Sequence, residues 1–255
     1  MCVREKNKSP VLAKALISIE PVLKKVLYKI MSQNLITIDG PAASGKSSLS
    51  RSLARKLQWK WVSTGAFYRA LGLMAFKKNV DQHSESDLVE LLRKFELKVL
   101  PDPVQTQVFI DGQMCSFEEI YSVDNGTRAS NVSRFPKIRE AVLDLQRNCY
   151  AAPGLIAEGR DCGTVIFPEA QLKIYLVANA EARASRRSGE KEDGKSVEEV
   201  KKALKIRDDQ DGGRKAAPME AADDAWVLDS SDLSLEEVSE LVFERASKIF
   251  SDSLS

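Results

Sequence analysis

Histidine is almost missing from this chain: His83 is the only one among 255 residues. It lies in a polar stretch far from any cysteine, and is read as a surface residue. The four cysteines, at positions 2, 115, 149 and 162, form no C-x-x-C pair. This argues against a zinc site or a disulfide framework, and scattered thiols fit a reducing cytoplasm. Net charge is also small, with 38 Lys/Arg against 37 Asp/Glu giving +1. Such balance argues against a protein that coats nucleic acid by bulk electrostatics. No apolar run is long enough to span a bilayer, and none sets up a signal-peptide cleavage site. The expectation is a cytoplasmic monomer that binds neither membrane nor nucleic acid.

What is present is a hydrophobic fraction of 43%, enough for a substantial core. The first 30 residues differ from the rest, with seven Lys/Arg against only Glu5 and Glu20. Leu12, Leu16, Ile19, Leu23 and Val26 follow helical spacing, but a poorly ordered or weakly helical extension over 1–32 is the preferred reading. Met31 stands just before the first strand and is a candidate translation start. From Leu35 strands and helices alternate. Leu35–Asp39 reads as a buried strand, Ser47–Leu57 as a helix, Trp61–Ser63 as a strand and Gly65–Phe76 as a helix. Glu96–Leu100 and Thr106–Ile110, with the Asp111-Gly112 turn, read as a small antiparallel insert. A helix starts near Pro136 with Ile138, Val142 and Leu145 facing inward. Leu155–Ala157, Leu172–Val177 and Ala225–Leu228 are three more apolar strands. The fold expected is α/β: a five-stranded parallel sheet with flanking helices.

Between the first strand and the first helix lies Gly40-Pro41-Ala42-Ala43-Ser44-Gly45-Lys46-Ser47, a full match to G-x-x-x-x-G-K-[ST]. Its glycines let successive N–H groups curl around an anion, and the helix N-terminus adds partial positive charge. Lys46 brings a full charge to the β- and γ-phosphates, and Ser47 offers a hydroxyl to Mg²⁺. Gly40 to Ser48 is therefore the expected ATP cradle, with Ser47 as metal ligand. The motif by itself fits a kinase, a GTPase or a motor. No N-K-x-D guanine motif occurs, and the D-x-x-G match at Asp209–Gly212 falls in a charged helical stretch. The strand Leu155-Ile-Ala-Glu158 runs into Gly159-Arg160-Asp161 rather than a motor's Asp-Glu. Arginines recur instead: Arg69, Arg139, Arg160, Arg183, Arg186, Arg187, Arg207 and Arg214. Two facing nucleotides need such planar, permanent charges on several sides. Arg207, Asp211 and Arg214 share one helical face at i, i+4 and i+7, which suits either a solvated ion-pair ladder or a mobile lid.

From about Leu35 to Phe250 the chain resembles the bacterial cytidylate (CMP/dCMP) kinases, a family of P-loop nucleoside monophosphate kinases. The matching stretches are Ile38–Lys46, Thr64-Gly-Ala-Phe-Tyr-Arg69, Ser130–Arg139, Gly154–Asp161, Gly163–Pro168 and Arg207-Asp-Asp-Gln-Asp211. The resemblance implies a core at 33–65, 150–182 and 218–250, a monophosphate-binding lobe over 66–149 with its insert at about 94–115, a lid over 183–215, and a tail at 251–255. It implies that Ser130, Arg139 and Asp161 read cytosine and that Arg207 and Asp211 contact ribose. Thr64, Tyr68, Arg69, Arg160 and Arg214 match positions around the acceptor phosphate. Lys46, Arg160, Arg183, Arg187 and Arg214 are then the catalytic cations. The activity implied is transfer from ATP, with Mg²⁺, to CMP or dCMP. The chain departs from many relatives at Ser63, where an acidic residue is common, at Glu158, where several have Asp, and at Gly212-Gly213, which replaces bulkier residues. Other small-molecule P-loop kinases and a slow nucleotide-hydrolysing switch are the rival readings.

Cytosine presents an N4 amino donor where uracil presents an O4 acceptor. A carboxylate such as Asp161 accepts from the first and repels the second, so CMP and dCMP are expected substrates and UMP a poor one. No catalytic base is required, because a phosphate monoester with a second pKa of about 6 already has a mostly deprotonated attacking oxygen at neutral pH.

Overall fold

The computed structural model describes residues 34–189 and 196–251. The expectations for an extension over 1–32 and for Met31 lie outside those residues, as do 190–195 of the lid and 252–255 of the tail.

Strand β1, Leu35–Asp39, is buried along its whole length. Two-residue alternation sends Leu35 into the core on one face of the sheet and Ile36 and Ile38 into the core on the other. The P-loop follows and leads into α1 (Lys46–Leu57), then β2 (Lys60–Ser63) and α2 (Gly65–Lys77). A short helix α3 (Glu85–Leu92) is capped by Ser84, whose hydroxyl accepts from the amide of Asp87 at 3.4 Å. The insert forms β3 (Leu97–Leu100), β4 (Gln107–Ile110) and β5 (Gln113–Met114), an antiparallel three-stranded sheet. Helices α4 (Phe117–Tyr121), α5 (Val123–Ser133) and α6 (Pro136–Arg147) return the chain to β6 (Leu155–Glu158). A π-helical turn at Cys162–Ile166 precedes β7 (Leu172–Val177), α7 (Ala180–Gly189), α8 (Val197–Gly212), β8 (Trp226–Asp229) and α9 (Leu235–Ile249).

The main sheet has the order β2-β6-β1-β7-β8, parallel throughout. Helices α1 and α9 cover one face, where Leu49, Leu53 and Val242 pack on Ile36, Ile38, Ile156 and Ile174. On the other, Phe67 and Leu71 of α2 join Val132, Ile138 and Val142. Each such fully buried Leu or Ile contributes roughly 1.5–3 kcal/mol. The register sets Glu158 opposite both Ile38 and Ser63, so β1, β2 and β6 end together. In an open α/β sheet ligands bind beyond these carboxyl ends, where the strand order reverses.

Three local expectations change. The insert gains a third strand, β5. Leu145 is not inward-facing: it is exposed, and Gln146 is buried in its place, where its amide donates to the Thr64 carbonyl at 3.3 Å. The buried face of α6 thus includes polar groups, which the apolar period does not register. The helix carrying Arg207 and Asp211 ends at Gly212, so Arg214 lies beyond it. Its Nε nevertheless turns back to donate to the Asp211 carbonyl at 3.0 Å.

Candidate active site

Gly40 opens the P-loop with φ at +140°, and a Cβ there would lie 2.1 Å from the Leu176 carbonyl oxygen. Neither backbone can yield, so Gly40→Ala is expected to lower unfolding stability by about 3 kcal/mol or more and to remove nucleotide binding. Denaturant unfolding together with nucleotide titration checks this. Gly45 also has positive φ, 96°, immediately before α1. Lys46 is 6% exposed, and its Nζ donates to the Pro41 carbonyl at 2.5 Å and to Ser44 Oγ at 3.4 Å. Burial, then Arg160, pushes its ammonium down to about 7. The Ser47 hydroxyl donates to Glu158 Oε1 at 2.8 Å.

A cavity of about 480 Å³ runs from this loop across the strand ends. Every residue expected on the acceptor side lines it: Thr64, Tyr68, Arg69, Ser130, Arg139, Arg160, Asp161, Arg207, Asp211 and Arg214. Arg160 donates to Asp211 at 2.8 Å, and Arg214 approaches the same carboxylate at 3.6 Å. Burial pushes the Asp211 carboxyl up, but Arg160, Arg214 and Arg207 outweigh it and hold the group below its usual range. Arg207 is depressed to about 9 by burial and by Arg160 and Arg69. Arg69 falls to about 10 through burial, with Arg187 and Arg160 adding to it. Burial is the larger cause of both depressed guanidinium values and cation crowding adds to it; a bound polyanion relieves that repulsion. At the far end Arg139 and Asp161 form a buried ion pair, with the guanidinium 5.3 Å from the Tyr68 ring centre. The Tyr68 ring is buried beside this pair.

The remaining expected residues divide. Ala42, Ala43, Gly45, Lys46, Ser47, Ser48 and Arg187 line the same cavity. Gly40 and Pro41 line neither this cavity nor a second one of about 360 Å³ between the P-loop and the start of α9, which Ser44 lines. Arg183 is not brought to the main cavity: it pairs with Asp208 and donates to the Ala42 carbonyl at 3.2 Å. Asp208 also accepts from the Ala42 amide at 3.0 Å. Arg186 reaches the Ser44 carbonyl at 3.2 Å and Ser230 Oγ at 3.0 Å.

Several polar groups at the site were given no role from the sequence. Glu158 holds Ser47, Asp208 and Ser230 buttress the P-loop through Ala42 and Arg186, and Tyr121 supports Arg69, whose guanidinium carbon lies 5.2 Å from its ring centre. Glu158 and Ser230 share one legible signal, position at or just beyond the carboxyl end of a core strand. Asp208 has only its place in the Arg207–Asp211 stretch, and Tyr121 has no comparable signal. Ser63, at a departure from the family, lines the cavity and donates its amide to Thr106 Oγ1 at 2.9 Å. His83 is exposed, with Nδ1 2.9 Å from Arg134.

A parallel sheet with a P-loop between β1 and α1, opening onto an arginine-lined cavity, defines a kinase of the P-loop class. Residues 36–248 match the family described as cytidylate kinase, and the chain belongs to that family. It is 50% identical over 211 residues to the cytidylate kinase of Bdellovibrio bacteriovorus, covering 82% of this chain and 96% of that protein. It is 42% identical over 215 residues to the cytidylate kinase of Erwinia tasmaniensis, covering 83% and 94%. With that of Proteus mirabilis the identity is 42% over 218 residues, covering 84% and 96%. Among the described residues no helix is long and apolar enough to cross a membrane.

Proposed function

We propose that this chain transfers the γ-phosphoryl group of ATP to CMP or dCMP. The observation that carries the reading is the single cavity joining Lys46 to the buried Arg139–Asp161 pair. Phosphates of the donor lie along the P-loop amides and Lys46, and the donor base occupies the second cavity beside Arg186 and Ser230. The acceptor phosphate sits among Arg69, Arg160 and Arg214, its ribose against Arg207 and Asp211, and its base against Ser130, Arg139 and Asp161. Helices α7 and α8 cover the donor phosphates, with Arg183 and Asp208 tying them to the P-loop at Ala42.

Mg²⁺ fits the oxygen donors present. Ser47 Oγ and Glu158 Oε1 are 2.8 Å apart at the mouth of the P-loop, and Mg²⁺ commonly takes one or two protein oxygens, with water and phosphate filling the rest. Ser47 and Glu158 are the residues that would hold the ion. Bound there, it would neutralise charge on the β- and γ-phosphates of the donor.

The protein residues then have little covalent work. The acceptor oxygen is already an anion at neutral pH, with a monoester second pKa of about 6. Lys46 and the arginines hold two mutually repelling anions in line and stabilise the group in flight. Their clustering in the free protein already gathers positive charge where the phosphates are proposed to lie. The test is a coupled assay of ADP release with ATP and a panel of nucleoside monophosphates. CMP and dCMP are expected to accelerate release, and UMP to show kcat/KM lower by at least about 10²-fold. No acceleration by any monophosphate would exclude the kinase reading; equal use of UMP would exclude the base assignment.

A further inference from the structure

Asp39 ends β1 and stands directly before Gly40. It is 4% exposed, and both of its carboxylate oxygens are engaged. Oδ1 accepts the amide of Cys162 at 2.9 Å, and Oδ2 accepts the amide of Gly163 at 2.7 Å. These two residues come immediately after Arg160 and Asp161. The same segment is tied to β1 at its other end, where the Gly159 amide donates to the Ile38 carbonyl at 3.1 Å. Arg160 and Asp161 are thus the two residues held between a pair of anchors on β1.

The fit of the segment depends on missing side chains. A Cβ at Gly163 would lie 2.9 Å from Thr37 Oγ1, and one at Gly159 would lie 2.5 Å from Thr64 Oγ1. Glycine at both places lets the backbone lie against the strand end closely enough for the Asp39 contacts. A carboxylate is needed as well, since asparagine offers one acceptor oxygen and turns an N–H₂ donor toward the second amide.

We infer that Asp39 is a positioning residue for phosphoryl transfer, holding Arg160 and Asp161 in register with the P-loop. It does not line the cavity. It acts through Asp161 on the acceptor base and through Arg160 on the acceptor phosphate, and it joins the acceptor side to the donor loop that begins one residue later. The inference rests on the assignment of Asp161 to the base.

The test is Asp39→Asn, read in steady-state kinetics with CMP and UMP and in an Asp161→Asn background. A reacting group misplaced by about 1 Å costs about 10²-fold, so KM for CMP is expected to rise by roughly 10- to 100-fold while KM for ATP stays unchanged. The CMP-over-UMP ratio in kcat/KM is expected to fall by at least about tenfold, and Asp39→Asn should lower it no further once Asp161 is Asn. An unchanged KM for CMP and an unchanged ratio would overturn the inference, as would an equal fall in both backgrounds. Should Asp39→Asn not fold, amide exchange in the wild-type protein decides. The Cys162 and Gly163 amides are expected to be protected like those of β1, and exchange at surface-loop rates would overturn the inference. Failure of the wild-type protein to prefer CMP would remove the base assignment instead, leaving the exchange result to judge the anchoring.

Discussion

Replacing Lys46 with Met is expected to reduce kcat by about 10³-fold or more without lowering the stability of the free protein. The two halves of this result have one origin. Lys46 is buried, held by the Pro41 carbonyl and Ser44 Oγ, and depressed to about 7 by burial and Arg160. An ammonium in that position is a burden until anions arrive, so an apolar chain of similar length costs the free fold little. In phosphoryl transfer the same charge lies where negative charge moves, and nothing else on the P-loop replaces it. The depressed value carries a second, separable signature. At pH 8 the free side chain is mostly neutral, and bound phosphates favour its charged form. Nucleotide binding at pH 8 is therefore expected to take up a proton, and affinity to weaken as pH rises above about 7. Calorimetry in buffers of different ionisation enthalpy measures this uptake, which Lys46→Met should abolish. Uptake unchanged in the variant would assign the proton to another group.

The frame of this protein was legible because its central strands are buried on both faces. Leu35–Asp39 and Leu172–Val177 were delimited without error from their apolar content. The P-loop was legible because its amides, lysine and hydroxyl are contiguous. Readings weakened wherever a polar side chain occupies an inward position. Periodicity placed Leu145 in the core because it cannot distinguish a buried Gln146 from a solvated one. Arg214 was placed on a helix that stops at Gly212, since spacing cannot show a chain turning back on its own carboxylate. The Asp39 contacts were least legible. They join residues more than a hundred positions apart, and Asp39 reads as the plain end of a strand. The acceptor-side residues carried over from the family resemblance do converge on one cavity, whereas Arg183 turns to Asp208 and the P-loop backbone.

Asp161→Asn is expected to change the choice of base more than any other single substitution. Asp161 is 4% exposed and paired with Arg139, itself 8% exposed. A site built around such a buried acceptor loses its preferred partner by about 10⁴-fold when the complementary group is absent. With Asn, the amide can turn either its oxygen or its N–H₂ toward the base, so the CMP-over-UMP ratio is expected to collapse by at least about 10²-fold. The substitution also leaves Arg139 buried without its counter-ion, which costs about 3–5 kcal/mol of stability. Those two losses can be separated. Pairing Asp161→Asn with Arg139→Met removes the stranded charge, and stability should recover because buried ion pairs are often replaceable by apolar groups. Base discrimination should stay lost, since an amide at position 161 accepts from cytosine N4 and donates to uracil O4 equally well. Denaturant unfolding and the CMP and UMP kcat/KM values, measured on the wild type, the single variant and the double variant, decide it. Recovery of discrimination along with stability would show that Asp161 keeps the fold in shape and that the cytosine edge is read elsewhere in the cavity.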